Sequence, residues 1–246
     1  MPKTKRLRMF AGPNGSGKST LFGMVSKVVS PTLFINSDNI EKSLSEYGFF
    51  DLKLYNLNAT QDDFERFCKS KEAQSLIVKS EKTGHKIDAF IKENIVVDKS
   101  NNLHSYEASL LSSFIRTLLY KKGESFSFET VMSHISKLDE IESAKKMGYK
   151  TYLYFVCLDY PGTNLSRIQN RIEMGGHDVA FEKVVSRYSK TLENLTPAIH
   201  LADRTYLFDN SVSMQLIAES HQGELIIHSS EKELPGWFVE NVINKL

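Results

Sequence analysis

The chain is 246 residues long, 41% hydrophobic and 25% charged, a balance that suits a folded protein with a sizeable apolar core and excludes disordered, collagen-like and disulfide-scaffolded classes. At about 150 residues per domain, this length accommodates one elaborated domain or a core with an insertion. Lys and Arg number 31 against 30 Asp and Glu, a formal net charge of +1, so no global field draws the chain to nucleic acid or anionic lipid.

In chain order, the β-rich runs RLRMFAG, TLFINS, SFSFET, KTYLYFVCL, RTYLFDN and ELIIHS alternate with helical stretches. Runs as continuously apolar as YLYFVCL suit a sheet covered on both faces. The rhythm predicts a single α/β domain over 1–246, a doubly wound, mostly parallel sheet flanked by helices. Residues 51–100 break it with mixed charge, helical-looking segments and no convincing strand, and are read as a helical insertion. Thr60 ahead of Gln61, Asp62 and Asp63 signals a helix start there, and Gly84 a stop. The mixed charges point to a solvated face.

The longest apolar run, Tyr152–Leu158, is far shorter than the roughly 18 residues of a membrane span. The start MPKTKRLRMF lacks the long apolar core of a secretory signal, so a cytoplasmic location without a membrane partner is expected. Cys68 and Cys157 show neither CxxC nor zinc-type spacing and read as buried or bystander thiols.

Gly12, Pro13, Asn14, Gly15, Ser16, Gly17, Lys18 and Ser19 satisfy G-x-x-x-x-G-K-[ST] at every position, directly after a strand and ahead of the helical run STLFGMVSKVV. Such a loop wraps a phosphate with backbone N–H groups, and the following helix aims its positive end at the same anion. Lys18 adds a point charge, and Ser19 offers a hydroxyl to Mg²⁺. The fold class is thus that of a P-loop NTPase. ATP and Mg²⁺ are the expected ligands, with Gly12 to Thr20 around the phosphates.

A P-loop leaves the phosphate acceptor undefined. Active residues of such sheets gather at the carboxyl ends of the strands. Asp38 follows the second strand in INSDNIEKSL, where a carboxylate can take the proton of an attacking hydroxyl. Asp38-x-x-Glu41 is also a helix N-cap with its partner, and the two roles are compatible. SFSFETVMSH places Glu129 and Thr130 at the end of the third strand. Glu129 is a candidate for holding Mg²⁺ or contacting the acceptor, with Thr130 beside it; an exposed strand-end acid is the plainer reading. His134 reads as a surface or packing histidine.

After the fourth strand, residues 163–195 look like a mobile lid. Arg167 and Arg171 lie one helical turn apart, Gly175-Gly176 interrupts the pattern, and a second helix carries Arg187. Guanidinium groups closed over a migrating phosphoryl group stabilise its spreading charge, and a glycine pair supplies a hinge. Solvated arginines and a C-cap glycine give the same pattern. His177 either touches phosphate or merely starts the second helix. The fifth strand ends YLFDNS, making Asn210 and Ser211 candidates for contact with the base, although Asn-Ser is also an ordinary turn. The tail LPGWFVENVINKL reads as a closing amphipathic helix with Trp237 packed.

Together GPNGSGKST, SFSFET, GYKTYLYFV, NLSRIQNRIEMGGHDV and SRYSKTLENL resemble the zeta toxin family of P-loop kinases, more narrowly its chromosomal branch of predicted ATPases. The likeness covers roughly residues 5–48 and 104–212 and has no counterpart for 51–100. It implies an ATP- and Mg²⁺-dependent kinase that phosphorylates a sugar hydroxyl of UDP-N-acetylglucosamine or a related nucleotide sugar and is held in check by a small antitoxin. By position, Lys18 matches the Walker lysine, Asp38 the catalytic base and Glu129 the acid at the third strand's end. Arg171 and Arg187 match the phosphate-clamping arginines, spaced further apart than in the founding toxins. The family's acceptor-facing glycine after the glutamate is replaced here, where the sequence runs Glu129-Thr130-Val131.

Two other readings stay open. One is a kinase of a different hydroxyl, on a nucleoside, a dinucleotide or a nucleic-acid 5′ end, although the near-neutral charge does not advertise the basic, aromatic-lined channel a polynucleotide requires. The other is an ATP-dependent binding switch that transfers nothing. A transporter-type ATPase is disfavoured, since EMGGHDV shares only a glycine pair with the LSGGQ signature.

Overall fold

A computed structural model of the protein describes residues 4–29, 32–99, 105–160, 162–164, 166–167, 181–229 and 234–246. Its elements begin with β1 (Arg6–Ala11), α1 (Lys18–Val25), β2 (Leu33–Ile35), α2 (Ser37–Tyr47), β3 (Phe49–Asp51), α3 (Gln61–Cys68), α4 (Lys71–Lys82), β4 (Ala89–Lys92), β5 (Ile95–Asp98) and α5 (Ser105–Lys122). They continue with β6 (Phe126–Thr130), α6 (Ser136–Lys146), β7 (Lys150–Cys157), α7 (Phe181–Glu193), α8 (Leu195–Leu201), β8 (Arg204–Asp209), β9 (Gln215–His221), β10 (Glu224–Ile227) and α9 (Gly236–Asn241). The chain divides into two compact units, Met1–Thr32 with Ser125–Leu246, and Leu33–Glu124.

In the first unit the strands run in the order β10-β9-β8-β7-β1-β6. β1 pairs in parallel with both β6 and β7, and β7 in parallel with β8. Leu153 to Cys157 is buried without interruption, the pattern of a strand covered on both faces. Burying a side chain such as Phe155 contributes about 2–3 kcal/mol. Across the register, Phe10 stacks on Tyr154 at 4.9 Å and Tyr154 on Tyr206 at 5.0 Å. Phe22 of α1 meets Phe10 edge-on at 5.3 Å. That contact fixes α1 against β1 and so fixes the loop between them.

The mostly parallel α/β sheet flanked by helices is as the sequence predicts, with one difference at its edge. ELIIHS forms β10 in a hairpin with β9, antiparallel to it, and β9 is antiparallel to β8. Gln222 and Gly223 both take positive φ, 53° and 90°, as in the two-residue turns that join antiparallel strands. β9 lies outside the sequence expectation because QLIAESH shows neither strict alternation nor a β-branched run. The tail forms α9 as expected, with Trp237 buried.

The second unit corrects the expectation of a purely helical insertion. Helices α3 and α4 are present, but β3, β5 and β4 form a three-stranded antiparallel sheet in that order. Four-residue strands give little periodicity to read. Their connecting turn, Glu93-Asn94, has φ of 52° and 67°, and glutamate is not a residue that announces such a turn. Thr60 caps α3 as expected, in a reciprocal box with Asp63. Ser70 starts a second helix where the sequence suggests continuity, accepting a bond from Ala73 N. Phe64 and Phe67 pack on Phe114 of α5 at 5.2 and 5.3 Å. α2 is capped by Asn36, whose side chain accepts from Asp38 N at 2.8 Å, so Asp38 occupies the first turn and is not the cap. Among the described residues no helix is long and apolar enough to cross a membrane.

Candidate active site

β1 ends at Ala11 in the middle of the parallel strands, and the loop 12–17 leads directly into α1. α1 begins after Gly17 with no side-chain cap and no acidic residue in its first turn, so its leading N–H groups and positive dipole end are suited to an anion. Lys18 folds back: its Nζ donates to Pro13 O at 3.0 Å and lies 3.8 Å from Glu129 Oε1. Pro13 O also accepts from Ser16 N at 3.3 Å. The Ser19 hydroxyl donates to Glu129 Oε2 at 2.9 Å. Thus β6 brings Glu129 against both side chains that close the phosphate motif, as a strand-end acid in a parallel sheet does.

Two asparagines hold the outside of this loop. Asn164 Nδ2 donates to Asn14 O at 2.7 Å, and Asn210 Nδ2 donates to Ser16 O at 2.9 Å. Asn164 is fully buried. Both approach where glycine is required. A Cβ on Gly15, at φ 76°, would sit 2.7 Å from Asn164 O, and one on Gly17, at φ 102°, would sit 2.6 Å from Asn210 Nδ2. Asn164 is a residue the sequence reading missed; an asparagine after Pro-Gly-Thr looks like ordinary turn material.

Asn210 is fixed in turn. Its N–H donates to Cys157 O at 2.9 Å, and its carbonyl accepts from Arg167 Nη2 at 3.0 Å. Arg167 therefore reaches the edge of the loop through Asn210. Ser211 folds back on Asp209, which also accepts from Trp237 Nε1 at 2.9 Å. Burial pushes the Cys157 thiol up to about 12. Tyr188 of α7 donates to Leu158 O at 2.7 Å, and burial raises its phenol as well.

The other expected site residues have the following contacts and positions. The Thr130 hydroxyl accepts from Met132 N at 3.1 Å and so shapes its own loop. That loop is pinned by Thr191, which donates to Val131 O at 2.8 Å, and by Asn194, which donates to Met132 O at 2.9 Å. His134 Nδ1 accepts from Ser136 N at 3.2 Å, at the start of α6. Arg187 is exposed on α7. Asp38 is in the first turn of α2, in the second unit. Arg171, Gly175, Gly176 and His177 lie outside the described residues.

For Mg²⁺, the Ser19 hydroxyl and the Glu129 carboxylate present hard oxygens side by side at the start of α1. Mg²⁺ takes one or two protein carboxylates and completes its shell with water and phosphate oxygens. The pair fits that demand. Among the described residues no group of three or more His, Cys, Asp or Glu is gathered.

No family model matches the chain. An uncharacterized protein of Haemophilus influenzae is 31% identical over 68 residues, 28% of this chain and 49% of that protein. Among solved structures, the chain is similar to AvrRxo1-ORF1:AvrRxo1-ORF2 with sulphate ions, at a TM-score of 0.53 and 17% identity over 94% of this chain and 63% of that one. It is also similar to AvrRxo1-ORF1:-ORF2 with ATP, at 0.52 and 17% over 92% and 61%. The chain thus spans about half the length of the curated relative and less than two thirds of these solved chains. At this identity the likeness is one of fold alone.

Proposed function

We propose that this chain is an ATP- and Mg²⁺-dependent phosphotransferase that moves the γ-phosphoryl group of ATP to a hydroxyl of a small molecule, with UDP-N-acetylglucosamine or a related nucleotide sugar as the acceptor. The observation that carries the reading is the convergence of Lys18 and Ser19 on Glu129, at 3.8 and 2.9 Å, at the head of a helix left open for an anion. A plain glycine-rich turn has no reason to gather a cation, a hydroxyl and a carboxylate there.

In this reading the N–H groups of residues 12–20 hold the phosphates, and Lys18 leaves Pro13 O to meet the β- and γ-oxygens. Ser19 and Glu129 hold Mg²⁺, which when bound neutralises phosphate charge. Asp38 takes the proton of the acceptor hydroxyl. Arg171 and Arg187 are the arginines assigned to the migrating phosphoryl group, and Arg167 with Asn210 borders the nucleotide. Thr130 is assigned to the acceptor side, through the loop it shapes. A small antitoxin protein is the proposed partner; the AvrRxo1 structures likewise contain two different chains, ORF1 and ORF2.

The test is incubation with γ-labelled ATP, Mg²⁺ and separate acceptors: UDP-sugars, nucleosides, NAD and oligonucleotides. Label transferred to a UDP-sugar is the expected result. Tight ATP binding with no labelled acceptor in any reaction would replace the kinase reading with that of a nucleotide-dependent switch.

A further inference from the structure

Among the described residues β10 is the terminal strand of its sheet, and its sequence, ELII, contains no lysine or proline. Ile226 is 54% exposed and Ile227 41%. Because side chains alternate along a strand, these two isoleucines put apolar surface on opposite faces of the edge. Solitary edges are normally blunted by charge, proline or a bulge. We infer that β10 pairs antiparallel with β10 of a second copy of this chain, about a two-fold axis passing through Ile226.

The backbone pattern suits such pairing. His228 N donates to Ile217 O on β9 at 2.8 Å. Residues of the same parity, Glu224 and Ile226, face His221 and Glu219 of β9 and direct their N–H and C=O groups toward that strand. Leu225 and Ile227, of opposite parity, direct theirs outward. In the two-fold arrangement Leu225 of each copy lies opposite Ile227 of the other, both presenting outward groups, and the pairs exchange four hydrogen bonds. Ile226 meets its own counterpart in a non-hydrogen-bonded pair, where side chains come closest.

The charges suit it as well. The same register sets Glu224 of each copy opposite His228 of the other, twice, and places no like charges opposite one another. His228 Nε2 lies 3.4 Å from Glu219 Oε1, so its ring is on the face that Glu224 and Ile226 share by strand alternation. A sequence that complements itself in hydrogen-bond parity, apolar centre and flanking charge is what an isologous contact requires.

Sedimentation velocity of the purified chain at tens of micromolar should show a dimer. In a Cys68→Ser background, Ile226→Cys should form a covalent dimer under mild oxidation, since non-hydrogen-bonded partners bring their Cα atoms to about 4.5 Å, within disulfide reach. Glu224→Cys should not, because the two copies of that position lie about 13 Å apart along the ladder. Ile226→Lys opposes two charges at the axis and should raise the dimer Kd at least about 100-fold, with an unchanged far-ultraviolet circular dichroism spectrum and cooperative unfolding showing that the fold is intact. A monomer at these concentrations overturns the inference, as does a dimer indifferent to Ile226→Lys or one cross-linked through position 224 instead of 226. A monomer whose β10 edge is instead taken up by a segment of a different protein overturns it too.

Discussion

Ser19 and Glu129 stand 110 positions apart in sequence and are joined by one hydrogen bond, hydroxyl to carboxylate, of 2.9 Å. That bond ties the first turn of α1 to the carboxyl end of β6, and Lys18 sits 3.8 Å from the same carboxylate. Glu129→Gln keeps the shape and removes the charge. Nucleotide affinity should change only a few-fold, while phosphoryl transfer falls by on the order of 10²-fold and its Mg²⁺ requirement rises. Lys18→Ala should remove ATP binding itself. Calorimetry and a steady-state assay separate the two outcomes.

The asparagine supports predict a graded series. Asn164→Ala and Asn210→Ala each leave one loop carbonyl without its amide donor and should weaken ATP binding about tenfold, or about 1.4 kcal/mol. Gly15→Ala should be far more severe. Its new methyl meets a backbone oxygen, Asn164 O at 2.7 Å, which has no rotamer to move into. Titration with a fluorescent nucleotide should rank the three variants in that order.

Asp38→Asn tests the proposed base. Its N-terminal position on α2 rests on Asn36, so the helix should survive and ATP affinity should stay unchanged, while transfer drops by 10²-fold or more. Full transfer by this variant would remove Asp38 from the reaction.

The cysteines differ in how easily they ionise. Burial lifts Cys157 to about 12, and burial with the neighbouring charge of Glu65 raises Cys68 less steeply. Since the thiolate is the reacting species, the native protein at pH 8 should take up an alkylating reagent at Cys68 alone, more slowly than free cysteine does and faster as pH rises. Cys157 should label only after denaturation. Mass spectrometry of timed samples reads both sites.

In the second unit, the backbone N–H and then the hydroxyl of Thr60 hold the Asp63 carboxyl below its ordinary value. The folded group has the lower pKa, so its contribution to stability is complete above the unfolded carboxylate value near 4 and is lost as pH falls through the folded one. Thr60→Ala should cost about 1 kcal/mol at neutral pH, and less of that difference should remain in acid. Urea melts at neutral and low pH provide the comparison.

The strand–loop–helix turn at Gly12 to Ser19 and the strand-end place of Glu129 were legible because their signals are local. Gly12 to Ser19 is a contiguous motif, and Glu129 is placed by the end of a recognisable strand. The central strands were legible because continuous burial, as in Leu153 to Cys157, leaves a continuous apolar run. What escaped depends on long-range or weakly marked features. Asn164 matters only because folding sets its amide against Asn14, and no spacing encodes that. β4 and β5 are too short to show a period, and Glu93 takes a left-handed turn conformation without the usual residue. β9 became recognisable only through its hairpin with β10.

The partners of the phosphate loop carry a consequence for biosynthesis. Asn164 and Asn210 lie 150 and 194 positions beyond the carbonyls they hold. A ribosome therefore makes residues 12–17 long before it makes the residues that brace them. The loop thus acquires both of its braces only once most of the polypeptide has been made.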